Sequence, residues 1–345
     1  MPSFSYAWGM TIARAYAAQD AASALSPWTF TRREPGEKDI EIAVRWCGIC
    51  HSDLHQARNE WGASTFPMVP GHEIVGAVTR VGKKAKKFKV GDTAAVGCVV
   101  DSCRKCVNCK RGLEQHCLTR VSFTYNCVEQ DGKTVTQGGY SDKIVVDEGY
   151  AFTVAGKHAL ERVAPLLCAG ITTYSPLKRH GTRKGTRVGV LGLGGLGHMA
   201  VKIAAAMGAE VTVFSGSPAK KADAKRLGAH EIVLSKESEK AAGRQDLIID
   251  TVSADHDLNQ ALGWLKTEGT LVLVGAPPKP QPVHAFSLIG GRKRLEGSGV
   301  GGMKETQEML NFCLKKGALS DVEVVGFPQV NQAYERLLKG DVATL

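Results

Sequence analysis

Between residues 27 and about 155, apolar positions fall in short runs alternating with polar ones, and Gly, Pro and Asp interrupt them. Ile40–Trp46, Ile74–Val81, Thr93–Val100 and Tyr140–Val146 are expected strands. Helical periodicity is scarce there, so a small, irregular β-barrel is the expected shape. From about residue 157 the pattern changes. Strand-like runs at Arg187–Leu191, Glu210–Phe214, Glu231–Leu234, Asp246–Asp250, Thr270–Val274 and Arg294–Ser298 alternate with helix-like stretches such as His198–Met207 and Ala219–Leu227. Six strands in that rhythm predict a doubly wound parallel sheet, the Rossmann dinucleotide-binding architecture. Lys304–Lys316 opens a last segment of helix–strand–helix character. The expected organisation is an α/β two-domain chain: residues 1–160, then 161–299, with 300–345 returning to the first domain. Residues 1–24 show no clear strand and read as an extension.

Composition narrows the class. A chain of 345 residues is too long for one ordinary core. No apolar run reaches the roughly 18 residues of a membrane span, and no signal-peptide core opens the sequence. A cytoplasmic protein without a membrane partner is expected. The net charge of +10 raises nucleic-acid binding. Its densest source, Lys83–Lys89, lies between Gly82 and Gly91 and reads as a solvated connection, so no nucleic-acid partner is expected. Four of the ten cysteines crowd into fifteen residues, which points to metal rather than disulfides.

The segment Gly192-Leu-Gly194-Gly195-Leu196-Gly197 follows a strand and opens a helix. In that context it is a dinucleotide turn: Gly192 allows the bend, Gly194 lets backbone approach a pyrophosphate, and Gly197 lets helix meet strand. The helix N-terminus offers free N–H groups to phosphate. The next strand ends in Ser215-Gly216-Ser217-Pro218-Ala-Lys-Lys221, with no acid before Asp223. An acid there would hold the ribose of NAD and repel the extra phosphate of NADP, so hydroxyls and lysine favour NADP(H). Ser217 could also simply cap the following helix.

Cys103-x2-Cys106-x2-Cys109-x7-Cys117 is the most specific pattern in the chain. Four thiolates at short spacings form a closed tetrahedral zinc site, placed in a lobe at about 100–118. An iron–sulfur cluster and a nucleic-acid zinc ribbon are the rivals; nothing else in the sequence asks for electron transfer. Arg104, Lys105, Lys110 and Arg111 flank the ligands and could offset their charge. Cys47, Cys50, His72 and Cys168 could each be ordinary buried residues if taken singly.

Taken together, CHSDLH (50–55), GHE (71–73), the four-cysteine lobe, LLCAGITTYSPL (166–177) and GLGGLGHMAVKIA (192–204) resemble the zinc-containing medium-chain dehydrogenases. Within these the chain is most similar to the cinnamyl alcohol dehydrogenase branch and its bacterial NADPH-dependent aldehyde reductases, from about residue 27 to 340. The resemblance implies a GroES-like barrel, a cleft between domains, a homodimer, and a second, catalytic zinc on Cys50, His72 and Cys168. Glu73 would be an alternate ligand, Asp53 would orient His72, and Cys47 would not bind metal. Ser52 would pass a proton through the cofactor ribose to His55. Thr172, Thr251, Val274, Ser298 and Val300 would line the cofactor path, and Trp61, Cys98 and Phe123 the substrate pocket. Around Phe123 the match to the plant enzymes shifts by one residue. Relatives usually continue with a short strand where this sequence closes at Asp341–Leu345, so a truncated or divergent end is expected. The implied activity is hydride transfer between NADP(H) and small aromatic or aliphatic aldehydes, reversible toward primary alcohols. The alternatives are an NAD-linked alcohol dehydrogenase of the same fold, a non-enzymatic zinc protein binding nucleic acid, and a structural protein that lost catalysis.

Overall fold

A computed structural model describes residues 11–340. The expectations about the first ten residues and about Asp341–Leu345 lie outside the described residues. The chain forms two compact units. One runs through Ala164 and takes back Val324–Lys339; the other holds Pro165–Glu323.

The first unit begins with β1 (Thr11–Ala17) paired antiparallel to β2 (Ser26–Arg32). Residues 11–17 are thus a strand, not part of an extension: Ala13, Ala15 and Ala17 alternate inward, too small to stand out as an apolar run. Next come β3 (Asp39–Cys47), α1 (His51–Ala57), β4 (Ile74–Val81), β5 (Thr93–Val96), β6 (Val99–Ser102), α2 (Val107–Lys110), β7 (Val121–Phe123), β8 (Lys143–Asp147), β9 (Phe152–Thr153) and α3 (Leu160–Val163). An antiparallel sheet has the order β8-β3-β4-β5-β9, and β6 pairs with β7. The expected strand over 93–100 breaks at Gly97-Cys98, where the chain leaves one sheet for the other and Thr124 N–H bonds the Cys98 carbonyl at 3.1 Å.

The second unit holds α4 (Ala169–Arg179), β10 (Arg187–Leu191), α5 (Gly195–Ala206), β11 (Glu210–Ser215), α6 (Lys221–Leu227), β12 (Glu231–Leu234), β13 (Gln245–Asp250), α7 (Leu258–Trp264), β14 (Leu265–Leu273), α8 (Ala285–Ile289), β15 (Arg294–Gly297) and α9 (Met303–Lys316). Its six strands run parallel in the order β12-β11-β10-β13-β14-β15. Val188, Val190, Val211, Val213, Ile248 and Ile249 are fully buried, as strands covered on both faces require. Phe214 stacks on Trp264 with centroids 3.9 Å apart.

The sequence placed everything after 299 with the first unit. Residues through Glu323 instead stay with the second, because α9 buries Met309, Leu310 and Cys313 and packs on α4, with Phe312 against Tyr174. The strand expected after α9 is missing: residues 317–326 have no regular structure. The chain then returns as α10 (Val330–Leu338), whose Val330 and Tyr334 join Leu54, Ala57 and Tyr140 in one apolar cluster. Asn331 fixes the return by two hydrogen bonds of 2.9 Å with the backbone of Leu25. Among the described residues, no helix is long and apolar enough to cross a membrane.

Candidate active site and metal centres

The β3–β4 pairing assembles the first centre. Cys47 and Ile74 face each other in register, so the chain leaving β3 runs beside the chain entering β4. Gly48 N–H donates to the Glu73 carbonyl at 3.0 Å. A Cβ on Gly48 would fall 1.7 Å from Glu73 Oε2, so only glycine leaves room for that carboxylate. Gly71 holds φ +102° and a Cβ there would strike Cys47 Sγ and Tyr140. These two glycines let Cys50, at the N-cap of α1, approach His72 and Glu73.

Asp53 organises the group and is fully buried. Its Oδ2 accepts Cys50 N–H at 3.0 Å and the Tyr140 hydroxyl at 3.4 Å. Its Oδ1 accepts Gly71 N–H at 2.9 Å and faces His72 Nδ1 at 3.0 Å. With Nδ1–H donated to a carboxylate, the lone pair of His72 is on Nε2, the arrangement a metal-binding imidazole needs. Cys50, His72, Glu73 and Cys168 each offer a ligand atom, and these atoms lie within 4.8 Å of one another. Cys168 reaches the group from the buried N-cap of α4. Cys47 is outside it; its Sγ donates to the Gly48 carbonyl, and burial pushes its thiol up. Two thiolates and a neutral imidazole leave a Zn²⁺ site with no formal charge, so the donor set fits zinc in a buried place.

Ser52 and His55 lie on α1, one turn apart. His55 Nδ1 contacts Glu60 Oε2, and its ring sits 5.0 Å from that of Trp61. Glu60 escaped the sequence reading; its signal was an acid just beyond the C-terminus of a helix ending near a histidine. Trp61 is 51% exposed and Phe123 43%. The residue brought against His72 is Tyr125, whose ring centroid is 5.8 Å away. That is where the sequence match slips by one. Cys98 sits at the junction of β5 and β6.

The second centre is the lobe between β6 and β7. Cys103, Cys106, Cys109 and Cys117 place their sulfurs within 4.8 Å of one another. Backbone N–H groups point at sulfur: Cys106 N–H to Cys103 Sγ and Cys103 N–H to Cys117 Sγ, both 3.4 Å. N–H donors from Lys105 and Cys106 pull the Cys103 thiol down to about 6, whereas burial pushes Cys109 up to about 12. Backbone donors that favour the thiolate at Cys103 and Cys106, within a set of four cysteine sulfurs, fit structural zinc. Arg104 is not free to offset the ligand charge, because it pairs with Asp101 and Asp147 at 2.8 and 2.9 Å.

The glycine turn of the second unit has the shape the sequence implied. Gly192 takes φ +89°, and a Cβ on Gly197 would lie 2.2 Å from the Gly192 carbonyl. Nothing approaches the Cβ positions of Gly194 and Gly195 within 4 Å, leaving the N-terminus of α5, with Leu196, open to a pyrophosphate. Gly197→Ala is expected to lower stability by about 1–3 kcal/mol through overpacking, measurable by thermal denaturation. Thr251, Val274 and Ser298 follow β13, β14 and β15 at the same carboxyl edge of the sheet. Val300 holds φ +39°, a strained value for a branched residue, and a Cβ on Gly301 would strike Ile171 beside buried Thr172. Past β11, Ser217 occupies the N-cap of a short turn, yet its side chain makes no capping bond. Ser217 and Lys221 are both exposed, and Ser215 Oγ accepts Ser217 N–H at 3.2 Å. The hydroxyl is therefore not consumed by capping.

Residues 36–156 match the alcohol dehydrogenase GroES-like domain and residues 195–315 the zinc-binding dehydrogenase domain. The chain is 53% identical to a probable mannitol dehydrogenase of Fragaria ananassa, over 96% of this chain and 93% of that one. It superposes on a cinnamyl alcohol dehydrogenase of Sorghum bicolor with TM-score 0.94 at 46% identity, covering 97% and 96% of the two chains. A cinnamyl alcohol dehydrogenase of Helicobacter pylori complexed with NADP(H) gives TM-score 0.92 at 42% identity, covering 97% of each.

Proposed function

We propose, from the premise that this chain belongs to the zinc-binding alcohol dehydrogenase family, that it reduces small aromatic and aliphatic aldehydes with NADPH and runs in reverse on primary alcohols. The observation that carries the reading is the gathering of Cys50, His72, Glu73 and Cys168 around one point, with Asp53 bound to four donors behind it.

When bound, zinc and NADPH supply polarisation of a carbonyl, worth several kcal/mol, and a hydride. Cys50, His72 and Cys168 hold the metal; Asp53 fixes the tautomer and orientation of His72. Glu73, held over Gly48, is the reserve ligand. Ser52 delivers a proton to the substrate oxygen, and His55, steadied by Glu60, resupplies it from solvent. Trp61 and Tyr125, with Cys98 and Phe123, shape the substrate side. Gly192–Gly197 cradles the pyrophosphate, Thr172, Thr251, Val274, Ser298 and Val300 line the remaining path, and Ser215, Gly216, Ser217 and Lys221 receive the 2′-phosphate. The relatives above are described for mannitol and cinnamyl alcohols, which supports a broad pocket rather than one substrate. A cytoplasmic homodimer goes with this reading: none of the ten cysteines is in a disulfide, and α8, which precedes the edge strand β15 in the chain, exposes Phe286 and Ile289.

The test is cofactor oxidation with NADPH and NADH across a panel of aldehydes; preference for NADPH supports the reading, and no turnover with either overturns it. Ser217→Asp is expected to lower the NADPH-to-NADH ratio of kcat/KM by on the order of tenfold or more, since a carboxylate would face the phosphate. An unchanged ratio would remove Ser217 from the cofactor site.

A further inference from the structure

Buried Asp250 and half-buried His256 form an ionisable pair that the mechanism above leaves unused. Asp250 ends β13 and is 1% exposed. Its Oδ1 accepts Val252 N–H at 3.0 Å, and its Oδ2 lies 2.7 Å from His256 Nε2. His256 Nδ1 lies 2.8 Å from the Ala254 carbonyl oxygen. Both ring nitrogens thus face acceptors. A neutral imidazole has one N–H and satisfies one of them; both contacts are made only when the pair holds one further proton.

We propose that Asp250 and His256 are a proton-dependent latch that braces the wall of the glycine turn, making His256 a positioning residue for nicotinamide-nucleotide binding. This rests on the assignment of NADP(H) to that turn. The loop they close is built around it. Thr251 Oγ1 donates to the Leu191 carbonyl at 2.8 Å, and a Cβ on Gly192 would meet Thr251 Oγ1 at 2.9 Å and Val252 Cγ2 at 3.0 Å. On the other side the Val252 carbonyl presses on Gly275, where a Cβ would lie 2.3 Å away. His256 N–H donates to Gln281 Oε1 at 3.3 Å. Residues 251–256 are therefore wedged between the phosphate turn and the loop after β14, and the latch ties the far end of the wedge back to β13.

The sign of the pH effect follows from the charges around the ring. Asp250 faces Nε2 from β13, and Asp257 from the N-cap of α7 adds a second negative charge. Asp255 is turned to Lys279 at 3.7 Å and Gln281. Burial disfavours the charged ring, but the Ala254 carbonyl and Asp250 outweigh it, so the proton is held above the ordinary histidine value of 6.5. As pH rises through the raised value the proton leaves, one contact is lost and the Asp250 carboxylate stays buried without its counter-charge. The loop loosens and nucleotide affinity falls.

NADPH binding, followed by nucleotide fluorescence on the full zinc-loaded protein from pH 6 to 9.5, tests this against His256→Gln. The wild type should weaken by about fivefold more than the variant across the transition, the low end of ordinary coupling between sites. The 2′-phosphate titrates identically in both, so the ratio isolates the latch. Parallel profiles overturn it. If NADPH binds neither protein at any pH, the cofactor assignment fails and the latch with it; if it binds both alike, the latch alone fails. Should the variant not fold, histidine NMR on the wild type decides. Reciprocity requires NADPH to raise the His256 midpoint by the matching amount, about 0.7 pH unit, and an unmoved midpoint refutes the latch.

Discussion

Cys50→Ser should reduce kcat by about three orders of magnitude or more while the protein melts close to the wild-type temperature. Holding a polarising metal contributes several kcal/mol to the transition state, and about 4 kcal/mol corresponds to a thousandfold in rate. Serine is a poorer zinc ligand than a thiolate, so the catalytic site loses one of its holders. The fold has little reason to suffer. Cys50 sits at the N-cap of α1, where serine is among the preferred residues, and the Asp53 half of the cap bonds backbone, not the cysteine side chain. Steady-state kinetics beside a melting curve reads both parts. A variant retaining a tenth of wild-type kcat would contradict the assignment of Cys50.

Cys106→Ser should fail in the opposite order, losing stability first. Between Cys103 and Cys117 only Cys109 is buried, α2 is one turn long, and Val107 and Leu118 are exposed. Such a lobe has no apolar core of its own, so four sulfurs around a bound zinc would be what holds it together. Losing one ligand should cost several kcal/mol, lowering the melting temperature by on the order of 10 °C in a chain of this size. The catalytic zinc should remain in the protein that stays folded, with kcat per folded molecule little changed. Equal behaviour of Cys50→Ser and Cys106→Ser would mean that the two metals do not divide the work in this way.

Much of this was legible in the chain because its carriers are local. The glycine turn, the four-cysteine lobe and the alternating strands of the second unit each complete themselves within a few dozen residues, and the order and number of those strands follow the pattern. What the pattern missed depends on partners far along the chain. β1 is lined by alanines, and its strand character comes from β2. The break at Gly97-Cys98 comes from a change of sheet, which no local pattern announces. β14 starts at Leu265 rather than Thr270 because its pairing to β13 shifts register near Gln245. Tyr140 and Tyr125 reach the Asp53–His72 pair from distant loops, and their apolar rings look like ordinary core until the structure closes. The same holds for His256, whose partner is six residues back but whose meaning depends on the glycine turn sixty residues earlier.

Stepwise removal of zinc by a mild chelator, with NADPH-dependent aldehyde reduction followed against metal bound per chain, bears most directly on the central claim. Turnover should fall to nothing as the catalytic zinc leaves, while the lobe keeps its own. Turnover that persists when only the cysteine-lobe zinc remains would contradict the account.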